Sequence, residues 1–206
     1  MLISTPYLML ATFLIKGWIS VIPYIIMIEV TVQNSLTLER MQKMEIRHTS
    51  LEELNQVMNI YDHARQYMRQ NGNQNQWING YPDIELITKD IEEMRSYVCV
   101  DDGQIEGVFC FTIGIDPTYI KIYEGAWLDD QPYGVVHRIA SASHKKGVAS
   151  FCLEWCLEQC NNIRIDTHED NYVMHNLLLK NGYQRCGIIY LESGAPRVAY
   201  QKNAAL

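Results

Sequence analysis

The sequence has no excess of basic charge: residues 44–206 carry 14 lysines and arginines against 22 aspartates and glutamates. Such an acidic body repels nucleic-acid phosphates, so no nucleic-acid partner is expected, and a cationic partner suits it better. There is no CxxC pair and no disulfide-framework spacing among Cys99, Cys110, Cys152, Cys156, Cys160 and Cys186. All six fall in predicted strands or helix, a pattern that reads as reduced, intracellular and cytoplasmic. Cys152, Cys156 and Cys160 recur every fourth residue on one helical face and are read as small core residues. No Gly-Lys-Ser/Thr follows the chain's glycine turn and no GxGxxG opens a helix, which removes both common nucleotide-binding readings. Internal repeats and low-complexity tracts are absent. Asp166, His168 and His175 have no recognisable ligand spacing, so no metal is expected.

Charge is also scarce from Leu2 to Ile28, where Lys16 stands alone. The run is long enough for a transmembrane helix of roughly 20 residues, but Lys16 near its middle and Pro23 weaken that reading. It lacks the basic start and small-residue cleavage site of a secretory signal. Residues 1–43 are therefore set apart as an apolar extension. Either they anchor the protein, with Arg40, Lys43 and Arg47 on the cytoplasmic side, or the working protein starts at Met41 or Met44. Membrane is a partner only in the first case. The remaining residues, 44–206, suffice for one globular domain with a substantial core.

Within that domain a strand from Met44 is followed by a helix over Leu51 to Gln70, with Ser50 as cap and Glu53 three residues on. A polar loop from Gly72 to Pro82 precedes a second helix opened by Asp83. Tyr97 to Val100 and Ile105 to Ile113 read as strands about the turn at Asp102-Gly103, and Tyr119 to Trp127 as a strand or an irregular segment. A strand from Val135 to Ala140 runs into the turn His144-Lys145-Lys146-Gly147-Val148-Ala149 and then a helix from Val148 to Cys160. Ile163 to Thr167 is the next strand. Asp170-Asn171 caps a helix whose Val173, Met174, Leu177 and Leu178 face inward, and Asn181-Gly182 stops it. Two strands, Tyr183 to Leu191 and Arg197 to Gln201, close the chain. This order gives an α/β (α+β) fold with a mixed sheet.

The glycine turn has the makings of an anion cradle, because it aims backbone N–H groups and a helix N-terminus at one point and adds two lysines. An ordinary strand-to-helix connection explains the same six residues. The turn after the central strand, joined to Asn171-xx-Met174-xx-Leu177-Leu178-xxx-Gly182-Tyr183 on the following helix, resembles the GNAT family of acyl-CoA-dependent N-acetyltransferases over residues 44–202. That family's turn reads Gln/Arg-x-x-Gly-x-Gly/Ala; His144 departs from it, while Gly147 and Ala149 keep it.

The resemblance implies a mostly antiparallel sheet flanked by helices, with a splayed central pair of parallel strands, here Val135 to Ala140 and Ile163 to Thr167. It implies acetyl-CoA as co-substrate, its pyrophosphate on residues His144, Lys145, Lys146, Gly147, Val148 and Ala149. The pantetheine and acyl group would contact Ile139, Ser141 and Asn171. The acceptor would be a primary amine of a small molecule or peptide, attacked directly in a ternary complex, and the protein a possible homodimer. Leucine stands at 178, where the family often has a tyrosine that protonates the departing thiolate, which leaves a non-catalytic acyl-CoA-binding or sensing module as the alternative.

For the base that receives the amine's proton, His137 is the leading candidate, since a strand's period of two puts it on one face with Ile139 and histidine titrates near neutrality. A hydrogen-bonded structural histidine is the competing reading. Asp166 and His168 form a second candidate pair. Trp77, Tyr81 and Trp127, with Tyr123, Tyr133, Asp129 and Asp130, could line an aromatic, acidic rim for a cationic amine, or simply pack in the core.

Overall fold

The computed structural model describes residues 44–142 and 145–204. The apolar extension and His144 lie outside the described residues. The elements are β1 (Met44–His48), a 3-10 turn (Leu51–Glu53), α1 (Leu54–Gln70), α2 (Ile84–Glu92), β2 (Ser96–Asp101), β3 (Gln104–Ile113) and β4 (Gly134–Ser141). They continue as α3 (Val148–Cys160), β5 (Asn162–Thr167), α4 (Tyr172–Lys180), β6 (Gln184–Tyr190) and β7 (Pro196–Asn203). Seven strands form one sheet in the order β1-β2-β3-β4-β5-β7-β6. Every neighbouring pair is antiparallel except β4 and β5.

Helix starts follow their predicted chemistry. The Glu53 carboxylate accepts from the Ser50 N–H at 2.9 Å, Asp83 accepts from the Leu86 N–H at 2.8 Å, and Asn171 accepts from the Met174 N–H at 3.1 Å. Each satisfies an N–H that a helix's first turn leaves without an intrahelical partner. Helices α1 and α2 pack Val57, Ile60, Tyr61, Ile87 and Ile91 against Val98 and Val108 on one face of the sheet. On the other face α3 and α4 pack Cys152, Leu153, Cys156 and Leu178 against Phe109, Phe111, Val136 and Ile165. Cys152 and Cys156 are buried as expected, and Cys160 is half-buried. Of the four α4 residues expected to face inward, Val173 is exposed. Met174 and Leu177 pack against the core and Leu178 is fully buried, which gives α4 a narrower apolar stripe than its sequence suggests.

The segment from Tyr119 to Trp127 is not a strand. A 3-10 turn over Pro117–Tyr119 opens it, and it then meets β6 through a single bridge from Tyr123 to Ile188. Ala126 adds one more bond along that edge, its N–H donating to the Cys186 carbonyl at 3.0 Å, so the segment covers part of the last strand. A side chain on Gly125 would overlap the Cys186 carbonyl oxygen and come within 3.2 Å of the Gly187 Cα. Gly125→Ala is expected to cost about 1 to 3 kcal/mol, as overpacking against rigid backbone does, lowering Tm by roughly 2 to 4 °C per kcal/mol in a domain of this size. A thermal melt checks it, and an unchanged Tm would mean that the segment is not held against β6.

Candidate active site

Strands β4 and β5 pair only at their beginnings, Gly134 with Ile163 and Val135 with Arg164. Beyond Val135 they no longer pair, so the β5 side of β4 presents backbone groups that need another partner. A second irregularity falls in the same stretch. Between β3 and β4 the register shifts from Cys110 opposite His137 to Val108 opposite Ala140, leaving Arg138 and Ile139 together against Phe109. Arg138 takes up the extra residue with φ of 54°, a left-handed conformation uncommon for anything but glycine, asparagine and aspartate.

This bulge corrects the expectation that His137 and Ile139 share a face, because it breaks the period of two on which that placement rests. Ile139 packs with Val136 beneath α3. His137 instead contacts Tyr119, with ring centres 5.9 Å apart. Both residues still line a single cleft of about 1690 Å³. The cleft runs from Ala149 at the start of α3, past Ser141 and Asn171, to the loop between α1 and α2 and the loop between β6 and β7.

At the α3 end, Gly147 caps the helix with φ of 91°, and its carbonyl accepts from the Phe151 N–H at 3.0 Å. The α3 start thus keeps the free N–H groups and positive dipole end that favour an anion. Lys146 is exposed beside it, whereas Lys145 is ion-paired with Asp101. The donor set therefore fits a diphosphate mainly through backbone amides, with Lys146 as the exposed cation.

Asn171 uses both ends of its amide within the protein: its oxygen caps α4, and its Nδ2 donates to Gln76 Oε1 at 2.8 Å. The same Gln76 oxygen accepts from Asn73 Nδ2 at 2.9 Å and from Thr167 Oγ1 at 3.3 Å. Gln76 thereby ties the loop between α1 and α2 to the open end of β5. Trp77 and Tyr81, on that loop, line the cleft.

Trp127 does not line it. Its indole N–H donates to the Tyr119 carbonyl at 3.0 Å, and its ring takes the Arg164 guanidinium at 4.2 Å. Arg164 also lies 3.9 Å from the centre of the Tyr133 ring, so these aromatics stack on a buried cation of the protein itself. Asp129 likewise turns inward, accepting from Asn162, Gln201 and Asn203. Tyr123 packs edge-on to Tyr190.

Around His137 the structure assembles groups that the sequence reading did not connect. The His137 Nε2 lies 2.8 Å from Asp116 Oδ2, and its Nδ1 lies 4.0 Å from Asp166 Oδ1. Thr118 donates to Asp116 Oδ1 through its N–H at 2.8 Å and its hydroxyl at 2.6 Å. Burial opposes ionisation of Asp116, but the hydrogen bonds from His137 and Thr118 outweigh it and hold its carboxyl at about 2. An ionised carboxylate can only accept, so the Nε2 of His137 carries the proton, and a neutral ring keeps its Nδ1 lone pair open. Asp166 receives the Tyr119 hydroxyl at 2.6 Å and has Arg197 Nε at 3.8 Å. Burial and the Asp166 charge push the Tyr119 hydroxyl well up, so Tyr119 remains a donor.

Asp116 was missed because it lies in a loop 21 residues before His137. The Asp116-Pro117-Thr118 sequence carries the side-chain-to-backbone turn signature of an ordered loop, a signal that could have marked it. His168 bonds locally to Asp170, and His175 meets the Tyr200 hydroxyl at 2.8 Å.

Asp116→Asn removes a carboxylate whose folded pKa lies below its unfolded one, so its stabilisation is present above the ordinary value of about 4 and fades as pH falls toward 2. The variant is expected to melt below wild type at pH 7, with the gap closing toward pH 2. Melts across pH check this, and a gap independent of pH would contradict it.

The α3 start and the cluster of His137 with two carboxylates lie along one cleft, joined by a strand with open backbone, an arrangement suited to group transfer. The chain is similar to an acetyltransferase of the GNAT family from Streptococcus agalactiae, with 35% identity, a TM-score of 0.73, and coverage of 79% of this chain and 96% of that one. It also resembles in fold a GNAT-family acetyltransferase from Bacillus cereus, 20% identical with a TM-score of 0.55, covering 79% of this chain and 99% of that one. A third similar structure is the NatC complex bound to Gag peptide and CoA, 14% identical with a TM-score of 0.52, covering 79% and 99%. No family model and no curated protein matches the chain. The protein belongs to the GNAT family of acetyltransferases.

Proposed function

We propose that the protein transfers the acetyl group of acetyl-CoA to a primary amine of a small molecule or peptide, by direct attack with both substrates bound. The observation that carries this reading is the single cleft that joins the α3 start to the His137 cluster along the unpaired stretch of β4. Gly147, Val148 and Ala149 would hold the pyrophosphate by their N–H groups, with Lys146 as counter-charge. Ile139 and Ser141 on the open strand would align the pantetheine arm. The bound thioester supplies an activated acetyl group and a leaving thiolate of pKa about 8.5, which departs tolerably without an acid. The buried Leu178 leaves that position without an acidic side chain.

His137 takes the proton of the attacking amine at Nδ1. Its Nε2–H is anchored on Asp116, and the imidazolium that forms is flanked by two carboxylates, Asp116 and Asp166. Trp77 and Tyr81 would border the acceptor. The free cysteines, five of them buried, support a reducing, cytoplasmic setting.

Incubating the protein with acetyl-CoA and a panel of amines, with thiol release and acetylated product followed together, tests the reading. Amine-dependent release is expected. Acetyl-CoA binding without transfer to any amine would favour a non-catalytic sensing module instead.

A further inference from the structure

Arg138 is the only non-glycine residue in the left-handed region within a strand, among the described residues. Such conformations persist only where the surroundings over-determine them, and they cluster at functional sites. Two contacts hold this one. Its Nη2 donates to Asp90 Oδ2 at 2.6 Å, and its Nη1 donates to the Tyr81 hydroxyl at 3.2 Å. Asp90, on α2, is 1% exposed and also pairs with Arg95 at 3.2 Å. The guanidinium is therefore clamped by a buried carboxylate on one side, while its other arm reaches the loop between α1 and α2. The fork geometry of arginine permits both bonds at once, which a lysine cannot reproduce.

The backbone of that loop has its own anchor. Arg65 donates to the Tyr81 and Pro82 carbonyls at 3.2 and 3.1 Å from α1. Arg138 is thus positioned to fix the side chain of Tyr81, which is 40% exposed and lines the cleft, relative to the bulge in β4. Trp77 packs edge-on to the Tyr81 ring, so fixing one orders the other.

We propose that Arg138 is a positioning residue for the acceptor: held by Asp90 in the β4 bulge, it sets the Tyr81 wall of the amine site in register with the strand that presents the donor. This rests on the transfer reaction proposed above. The reacting groups themselves are His137 and the two substrates, and Arg138 acts through Tyr81.

Steady-state kinetics of Tyr81→Phe, Arg138→Gly and the double variant test it. Glycine accepts the left-handed backbone, so Arg138→Gly removes the guanidinium without straining the bulge. Each single change is expected to raise the amine KM about tenfold, with kcat and the acetyl-CoA KM within about twofold of wild type. The double variant is expected to match Arg138→Gly, because both changes break one linkage. Losses that multiply in the double variant, or an amine KM unmoved by both single changes, would overturn the proposal.

Hydrogen exchange over residues 76–82 reads the same linkage without substrate. Protection there falls in both single variants if Arg138 orders the wall, and unchanged protection in both overturns it. A wild type that binds acetyl-CoA but acetylates no amine would count against the transfer reaction, while the exchange result would still decide the linkage.

Discussion

Replacing His137 with alanine is expected to lower kcat/KM for the amine about 100- to 10,000-fold, the range a positioned general base contributes, with the acetyl-CoA KM nearly unchanged. The expectation follows from the geometry of the ring. Asp116 fixes the proton on Nε2 at 2.8 Å, and Asp166 stands 4.0 Å from Nδ1, so charge that develops on the ring at proton transfer meets two carboxylates. Half-burial of His137 keeps those carboxylates from being fully screened. The loss should shrink at high pH, where the amine is already neutral and hydroxide can take the proton it sheds on attack. Rates of wild type and His137→Ala measured from pH 6 to about pH 10 check both features, since that range spans the titration of primary amines, from about 8 for an α-amino group to about 10 for an alkyl amine. A loss of equal size at every pH would point to a structural histidine instead.

Replacing Gly147 with valine is expected to weaken acetyl-CoA binding about 10- to 100-fold, while kcat at saturating donor stays within a few-fold of wild type. A Cβ at this position meets no atom of the described residues within 4 Å, so crowding by them is not the reason. The reason is φ of 91°, which a β-branched residue adopts only with strain. The valine backbone would relax toward negative φ and turn the first N–H groups of α3 away from a common point. Each charge-assisted hydrogen bond to an anion is worth about 1.5 to 3 kcal/mol, so misaiming one accounts for the expected change. Calorimetric titration with acetyl-CoA checks it, and unchanged affinity would remove the cradle from donor binding.

The elements were legible because their signals are local. Asp83 and Asn171 cap the helices they were expected to cap, and the apolar runs of β2, β3 and β5 lie within a residue or two of the observed strands. Gly147 was legible for the same reason, since a turn that needs positive φ advertises itself through glycine.

What was not legible depends on contacts distant in the chain. Nothing about an arginine announces a bulge, and Asp90 and Tyr81, which hold the Arg138 guanidinium there, are brought up from another helix and loop. The strand period of two therefore misplaced Ile139 relative to His137. Trp127 and Tyr133 carried the aromatic signature of a cation site correctly, but the cation is Arg164 of the protein's own β5. Asp116 reaches His137 only because the covering segment after β3 folds back over the sheet.

The measurement that tests the central claim most directly is transfer from acetyl-CoA labelled with heavy isotope in its acetyl group, read by mass spectrometry of the amine and by assay of the free thiol. The geometry predicts that label appears on the amine nitrogen in equal amount to the thiol released, and that His137→Ala slows both alike. Thiol released without labelled amine, or bound acetyl-CoA that releases neither with any amine, would contradict it.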